Sequence, residues 1–548
     1  MEGDQKAMTS RNEKTISFKN FTGLNENYED YIGKSEFSVL RNFDFAKEGV
    51  RGIIPRQGNE IYDASFLATS KIVTLENIPA SSEFQIAQVD QTLYKSDFVE
   101  LGGAGNGSCN TDIQSMSYFL NKVFIFPGLT DGGSTKGIIY DISTGAISLQ
   151  SDGPDNGKYC ILYKNRLWVA VGNYVYYSAA YMFDNDGDAD DWDISNNFIK
   201  IAPDSGHDIV SLIPTQNALL VCLENGDVYP IYGAYTNEFQ IPQFPISDKG
   251  PISHRTVKRY RSATLWLGED DVYKYEGGNI LPVSEKRQLY TQFKNVSTDQ
   301  AIRNVAVAST IDDDYIICFR QKTSGVPNKC YVFNIVYGTW REYENYKFYF
   351  QASCVTTDKV WITGQCEADT DGKYKLLKQR TSFADTYTTN GDTNIIADAT
   401  THETMPSDGF MDVQFKKLFA RLAYGSVTPF QITLKARTGL RDIPRDNERF
   451  KLFEFLKAAS TVGTETDTTV LWDENNWAND DEVIDPGELV WAEDGNDSRS
   501  IYSLQNEYRT FNLMGNSLKL SFTVSYTTDP EVELERIKIH YLQKRRVL

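Results

Sequence analysis

The sequence predicts an all-β fold, a β-propeller of six or seven blades followed by a C-terminal β-sandwich domain, and three observations carry that reading. A hairpin phrase recurs as LWVAVGNYVYYS (167–178), LLVCLENGDVYPIYG (219–233), LWLGEDDVYKYEGG (265–278) and YIICFRQKTSGVPNKCYVFNI (315–335). Each joins strand-grade alternation to turn chemistry, and hairpins repeating every ~40–50 residues are the signature of propeller blades. The chain holds 32 Tyr and 30 Phe against 7 Met, and Ala-Leu-Glu runs are scarce, so little helix is expected. Beyond residue 410, the stretches 416–436 and 517–542 alternate with period two, as the outer hairpins of a sandwich do.

Taken in order, residues 1–50 read as an N-terminal arm, polar to about residue 16, then a strap in which Gly23, Gly33 and Gly49 punctuate short β runs toward the first blade. Residues 51–383 hold seven strand-pair units ending near Leu101, Leu149, Phe198, Phe239, Val283, Tyr343 and Phe383. Because the β run starting at Ile53 has two possible destinations, completing the last blade or forming its own, both six and seven blades fit. Closure on a ring leaves only short edges, which keeps so Tyr-rich and Val-rich a chain soluble. Residues 384–409 are rich in Thr, Asn, Asp and Gly and read as a linker or long loop, and 410–548 as the sandwich. Its acidic insert, 471–498, has ten Asp or Glu, no Lys or Arg, and Trp472, Trp477 and Trp491. Such a loop either docks a basic partner or packs its Trp residues back on the sandwich.

A net charge of −20 excludes a surface that grips nucleic acid throughout, since phosphate binding needs clustered Lys and Arg. The same charge suits a wall past which DNA slides, or simply keeps a large β protein soluble. Basic residues gather at 255–261 (RTVKRYR), at 437–449, and at Lys544, Arg545 and Arg546, where they read as seats for an acidic neighbouring subunit. Seven cysteines form no CxxC pair; Cys318 and Cys330 have the spacing to face each other across a hairpin, and buried reduced thiols are the preferred reading. The N-terminal stretch lacks the apolar core of a signal peptide, and no segment is expected to span a membrane.

Chemistry is sparse. Asp184, Asp186, Asp188 and Asp190 have the alternate spacing of a calcium loop, with Gly187 allowing a sharp turn. Gly falls two places early, Ser195 stands where a bidentate Glu belongs and no helix pattern flanks the loop, so a solvated acidic turn is preferred and calcium is the alternative. His207, His254, His402 and His540 are each isolated in sequence and read as surface or turn histidines, and no catalytic residue or cofactor is assigned.

Several phrases share a family likeness. Gly23-Leu-Asn25, Asn42-x-Asp44 and Gly49-x-Arg51 come first, then Tyr163-Lys-Asn-Arg166 running into Val175-Tyr-Tyr-Ser178 and a loop holding Asp191-Trp192. Asp208-Ile-Val-Ser-Leu212, Cys330-Tyr-Val-Phe-Asn334, Gly338-Thr-Trp340, and the Trp472-Asp473 and Trp491-Ala492 turns before an Arg-rich end complete the set. The chain resembles the tail nozzle proteins (tail tubular B type, packaged-DNA stabilisation proteins) of short-tailed bacteriophages. It departs in the extra acidic residues of the Asp-Trp loop and the length of the linker near residue 390. The resemblance implies a structural virion protein, assembled in the host bacterial cytoplasm and placed in the tail. It implies copies in a ring, a hexamer, extending the DNA-ejection conduit below the portal and adaptor, retaining the genome and docking fibres or a plug. No enzymatic reaction is implied. The alternative is a propeller that binds glycans or degrades a polysaccharide, which would set Asp, Glu, Arg or Tyr side chains around an axial pocket.

Overall fold

In the computed structural model the chain divides into two compact units, one built from 58–381 with 385–392, the other from 1–57, 382–384 and 393–548. The structure describes residues 13–456 and 502–543 apart from short stretches, the longest of which are 26–35, 102–112, 182–191, 294–304, 321–327, 403–412 and 439–448. Both units are all-β, and helix among the described residues is confined to short turns such as Thr236–Glu238 and His254–Thr256.

The first of these units is a β-propeller. Seven antiparallel meanders follow one another, opening with Ile72–Ile78, Ser115–Phe119, Tyr159–Tyr163, Ile209–Pro214, Lys258–Tyr260, Val307–Ile311 and Phe350–Val355. The apolar clusters lie between neighbouring sheets, so both faces of a sheet are covered. Trp168 and Leu219 share the cluster between the third and fourth, Trp266 and Leu220 that between the fourth and fifth, and Ile72 and Ala352 that between the first and seventh. A strand buried on both sides reads as an unbroken apolar run, and Leu219–Leu223 is buried at all five positions.

Two-residue turns close many of the hairpins. Lys164 and Asn165, at φ 49° and 59°, connect Tyr159–Tyr163 to Arg166–Val171, the left-handed pair of a turn whose twist matches that of the strands.

The ring is closed by a strand from its own beginning. Asn59–Ile61 pairs antiparallel with Leu376–Gln379, matching Ile61 with Leu377 and Asn59 with Gln379. The region after Ile53 therefore does two things: 59–61 completes the seventh sheet, and 72–78 opens the first.

The second unit is a β-sandwich. In one sheet Val532–Gln543 lies beside Val413–Gly425, which pairs in turn with Tyr502–Gly515. The other runs from Glu36–Arg41 through Ile395–Thr401 and Lys519–Tyr526 to Gln431–Thr438 and Arg449–Leu456. Phe43, from a short strand of the first sheet, packs on Phe522 of the second with ring centroids 5.7 Å apart.

Two expectations need correction here. The N-terminal segment is not a strap toward the first blade: Glu13–Lys19 pairs along its whole length with Val532–Gln543, with Ile16 opposite Ile539 and Phe18 opposite Ile537, all four buried. The polar residues around Ile16 and Phe18 concealed a short alternating strand. Likewise 384–409 is not simply a linker, since Ile395–Thr401 is a sandwich strand that buries Ile395, Ala397, Ala399 and Thr401 on one face. Its small Ala and Thr residues carry a weak apolar signal while keeping the period of two.

Candidate functional site

The opening strands of the sheets surround the propeller axis, and small hydroxyl side chains tie several of them to their neighbours. Thr74 Oγ1 donates to the Ile113 carbonyl at 2.8 Å, and Ser115 Oγ accepts from the Cys160 amide at 2.6 Å. Ser211 Oγ lies 2.8 Å from His254 Nδ1, Ser253 Oγ donates to the Ala306 carbonyl at 3.2 Å, and Ser309 and Ser353 share a hydrogen bond of 2.6 Å. Side chains this short fit where strands converge and still satisfy buried polar atoms.

Arg255 crosses this centre. The turn His254–Thr256 before the fifth sheet carries it, and its Nη2 donates to the carbonyls of Val73, in the first sheet, and of Gln351, in the seventh, the latter at 2.6 Å. Only 7% exposed, it fills the axis with a charge held by backbone carbonyls.

A cavity of about 110 Å³ remains beside it, lined by Thr74, Glu76, Ser115, His254, Lys258 and Ser353 among others. Burial, with the charges of Lys258 and Arg255 next, pushes the His254 imidazole down to about 3, so the ring is neutral at physiological pH.

A second charged cluster sits at the closure of the ring. Asp314 Oδ2 receives Arg341 Nη2 at 2.6 Å and Arg380 Nη2 at 2.5 Å, while its other oxygen accepts from Asn334 at 3.1 Å. Arg380 follows Leu376–Gln379 of the seventh sheet, and its amide donates to the Gly58 carbonyl at 2.8 Å. Burial would raise the Asp314 carboxyl, but the two guanidinium groups outweigh it and hold the pKa at about 2. With every polar atom of the carboxylate engaged, this is a structural clamp rather than a reactive group.

The sequence-named residues fare differently. Asp184, Asp186, Asp188 and Asp190 lie outside the described residues, as do Trp472, Trp477, Trp491, Lys544, Arg545 and Arg546. No cluster of metal-ligating side chains occurs among the described residues. The basic run 255–261 is not a uniform outward seat: Arg255 is buried and Lys258 lines the cavity, while Arg261 faces outward and pairs with Asp313 at 3.4 Å. His254 is an axial residue rather than a surface one, brought to Ser211 and Tyr159 by folding, a proximity that sequence separation hides. Cys318 and Cys330 do stand opposite one another, both buried as free thiols. No helix among the described residues is long and apolar enough to cross a membrane.

Residues of the family-like phrases occupy structural positions. Asn42, at φ 55°, accepts from Arg56 Nε at 2.8 Å and donates to the Ile396 carbonyl at 2.8 Å, while Trp192 is buried with Phe124 and Val169.

No known family model and no curated protein matches the chain. Among solved structures it is similar to the computationally designed Ika8 protein, at 12% identity and a TM-score of 0.34, covering 62% of this chain and 96% of that one. It is also similar to a chain of the mitotic checkpoint complex, at 9% identity and a TM-score of 0.33, covering 59% and 91%. Likenesses this loose carry no argument about what the chain does.

Proposed function

We propose that this chain is a structural virion protein of a short-tailed bacteriophage. It forms a ring, a hexamer of identical copies, that serves as a tail nozzle or hub, extends the DNA-ejection conduit below the portal and adaptor, helps retain the packaged genome and docks fibres or a plug. The observation that carries the reading is Arg255 across the axis, with its hydrogen bonds to Val73 and Gln351. A propeller closed at its centre is a rigid block, and DNA passing such a protein travels between copies and not through one. Rigid blocks joined by heterologous contacts that close make a ring.

Charge supports the same reading. At −20 the chain repels a phosphate backbone at short range, with screening beyond about 8–10 Å at cellular salt, so DNA slides without adhering. The glycan-degrading alternative is favoured less, because a cavity of about 110 Å³ falls below the ~300–1,000 Å³ typical of organic-ligand sites.

Quantitative mass spectrometry of gradient-purified particles tests the proposal. About six copies per particle is the result expected of one closed ring; absence from the particles overturns the reading.

A further inference from the structure

The axial cavity is lined by charged as well as small side chains. Its walls come from several sheets, and besides the Arg255 guanidinium they carry two opposite charges, the Glu76 carboxylate of the first sheet and the Lys258 ammonium of the fifth. Neither makes an ion pair or side-chain hydrogen bond with any described residue, nor do they pair with each other across the cavity. His254 also lines it, with Nδ1 engaged by Ser211 and Nε2 without a protein partner among the described residues. Arg255, by contrast, is held by carbonyls and acts as a wall.

Glu76 and Lys258 are both half-buried, and charges drawn partly out of solvent are best satisfied where water or a ligand of matching charge completes them. The cavity holds on the order of four to seven waters, or one organic molecule of a few heavy atoms. A simple anion would meet Lys258 but face the Glu76 carboxylate, and a simple cation would meet the reverse. A sugar is too large. A small molecule bearing both an ammonium and a carboxylate satisfies both walls at once.

We infer that the axial cavity binds a small zwitterion of the α-amino-acid class, its carboxylate on Lys258, its ammonium on Glu76, and His254 Nε2 as a further hydrogen-bonding contact. Binding at the junction of the sheets ties the first and fifth across the axis, so the ligand stiffens the propeller.

The test is isothermal titration of the full chain at neutral pH with glycine and L-alanine, beside acetate and methylammonium as half-ligands. The inference expects saturable binding of an amino acid, markedly weaker binding of both half-ligands, and a loss of at least about tenfold in affinity in Glu76→Gln and in Lys258→Met. Acetate binding as tightly as L-alanine would overturn it, as would the absence of saturable heat with either amino acid. The wild-type titrations decide the matter even if a variant fails to fold. The experiment is independent of the nozzle reading, which stands or falls on the composition of particles.

Discussion

Arg380 Nη2 lies 2.5 Å from Asp314 Oδ2, and the backbone amide of the same arginine donates to the Gly58 carbonyl at 2.8 Å. One residue thus joins the sixth sheet to the strand that closes the seventh. Removing the Asp314 carboxylate leaves both guanidinium groups without it, so Asp314→Asn should destabilise the propeller by about 3–5 kcal/mol, whereas Arg380→Met, which leaves Asp314 paired with Arg341, should cost less. Urea unfolding followed by Trp fluorescence checks this, since Trp340 and Trp361 are buried in these sheets.

Acid should reveal the same clamp. The Asp314 carboxyl sits at about 2 when folded against an ordinary 3.8, so its contribution, on the order of 2 kcal/mol, is complete above the ordinary value and is lost as pH falls toward 2. In Asp314→Asn the stability difference from wild type should shrink across that window, as read by unfolding at stepped pH.

His254 governs a different window. Its folded pKa of about 3 lies below the ordinary 6.5, so the unfolded chain takes up a proton first and stability falls as pH drops below 6.5. Between pH 7 and 5 this amounts to about 1–2 kcal/mol, and His254→Gln should flatten the slope by that amount. Melting temperature against pH, wild type beside variant, measures it.

Arg255→Lys should not rescue Arg255→Met, because one planar guanidinium reaches the carbonyls of Val73 and Gln351 together while an ammonium is a compact point donor on a different stem. Each variant should cost about 2–4 kcal/mol, with amide exchange quickening in 72–78 and 350–355 before the other strands.

A glycine offers a local test. Gly233 stands at φ 107°, and a Cβ there would lie 2.4 Å from the Glu238 carbonyl oxygen. Gly233→Ala should cost more than about 1 kcal/mol and speed proteolysis within 233–246, where Tyr235 and Phe244 are exposed. Gly145→Ala, also at positive φ but with nothing within 4 Å, should cost less.

The hairpins were legible because Leu219–Leu223 and Tyr315–Phe319 write their burial directly into apolar runs, and because turns such as Lys164-Asn165 leave a polar pair between strands. The strand Glu13–Lys19 was not, since only Ile16 and Phe18 interrupt its polar residues and its partner lies more than five hundred residues away. The axial site was hidden for a related reason: Glu76 belongs to the first sheet, while His254 and Lys258 belong to the fifth and the turn before it, and they meet only when the ring closes. A local signal did exist in the hydroxyls set inside apolar opening strands, Thr74 in IVTLE, Ser211 in IVSLI and Ser309 in VASTI, a repeat that marks the side of the strand facing the axis.

The most direct test of the central claim is electron microscopy of intact and genome-emptied particles labelled with an antibody to this protein. The nozzle reading predicts label at the distal tail of both. Particles without label at the tail, in either state, would contradict it.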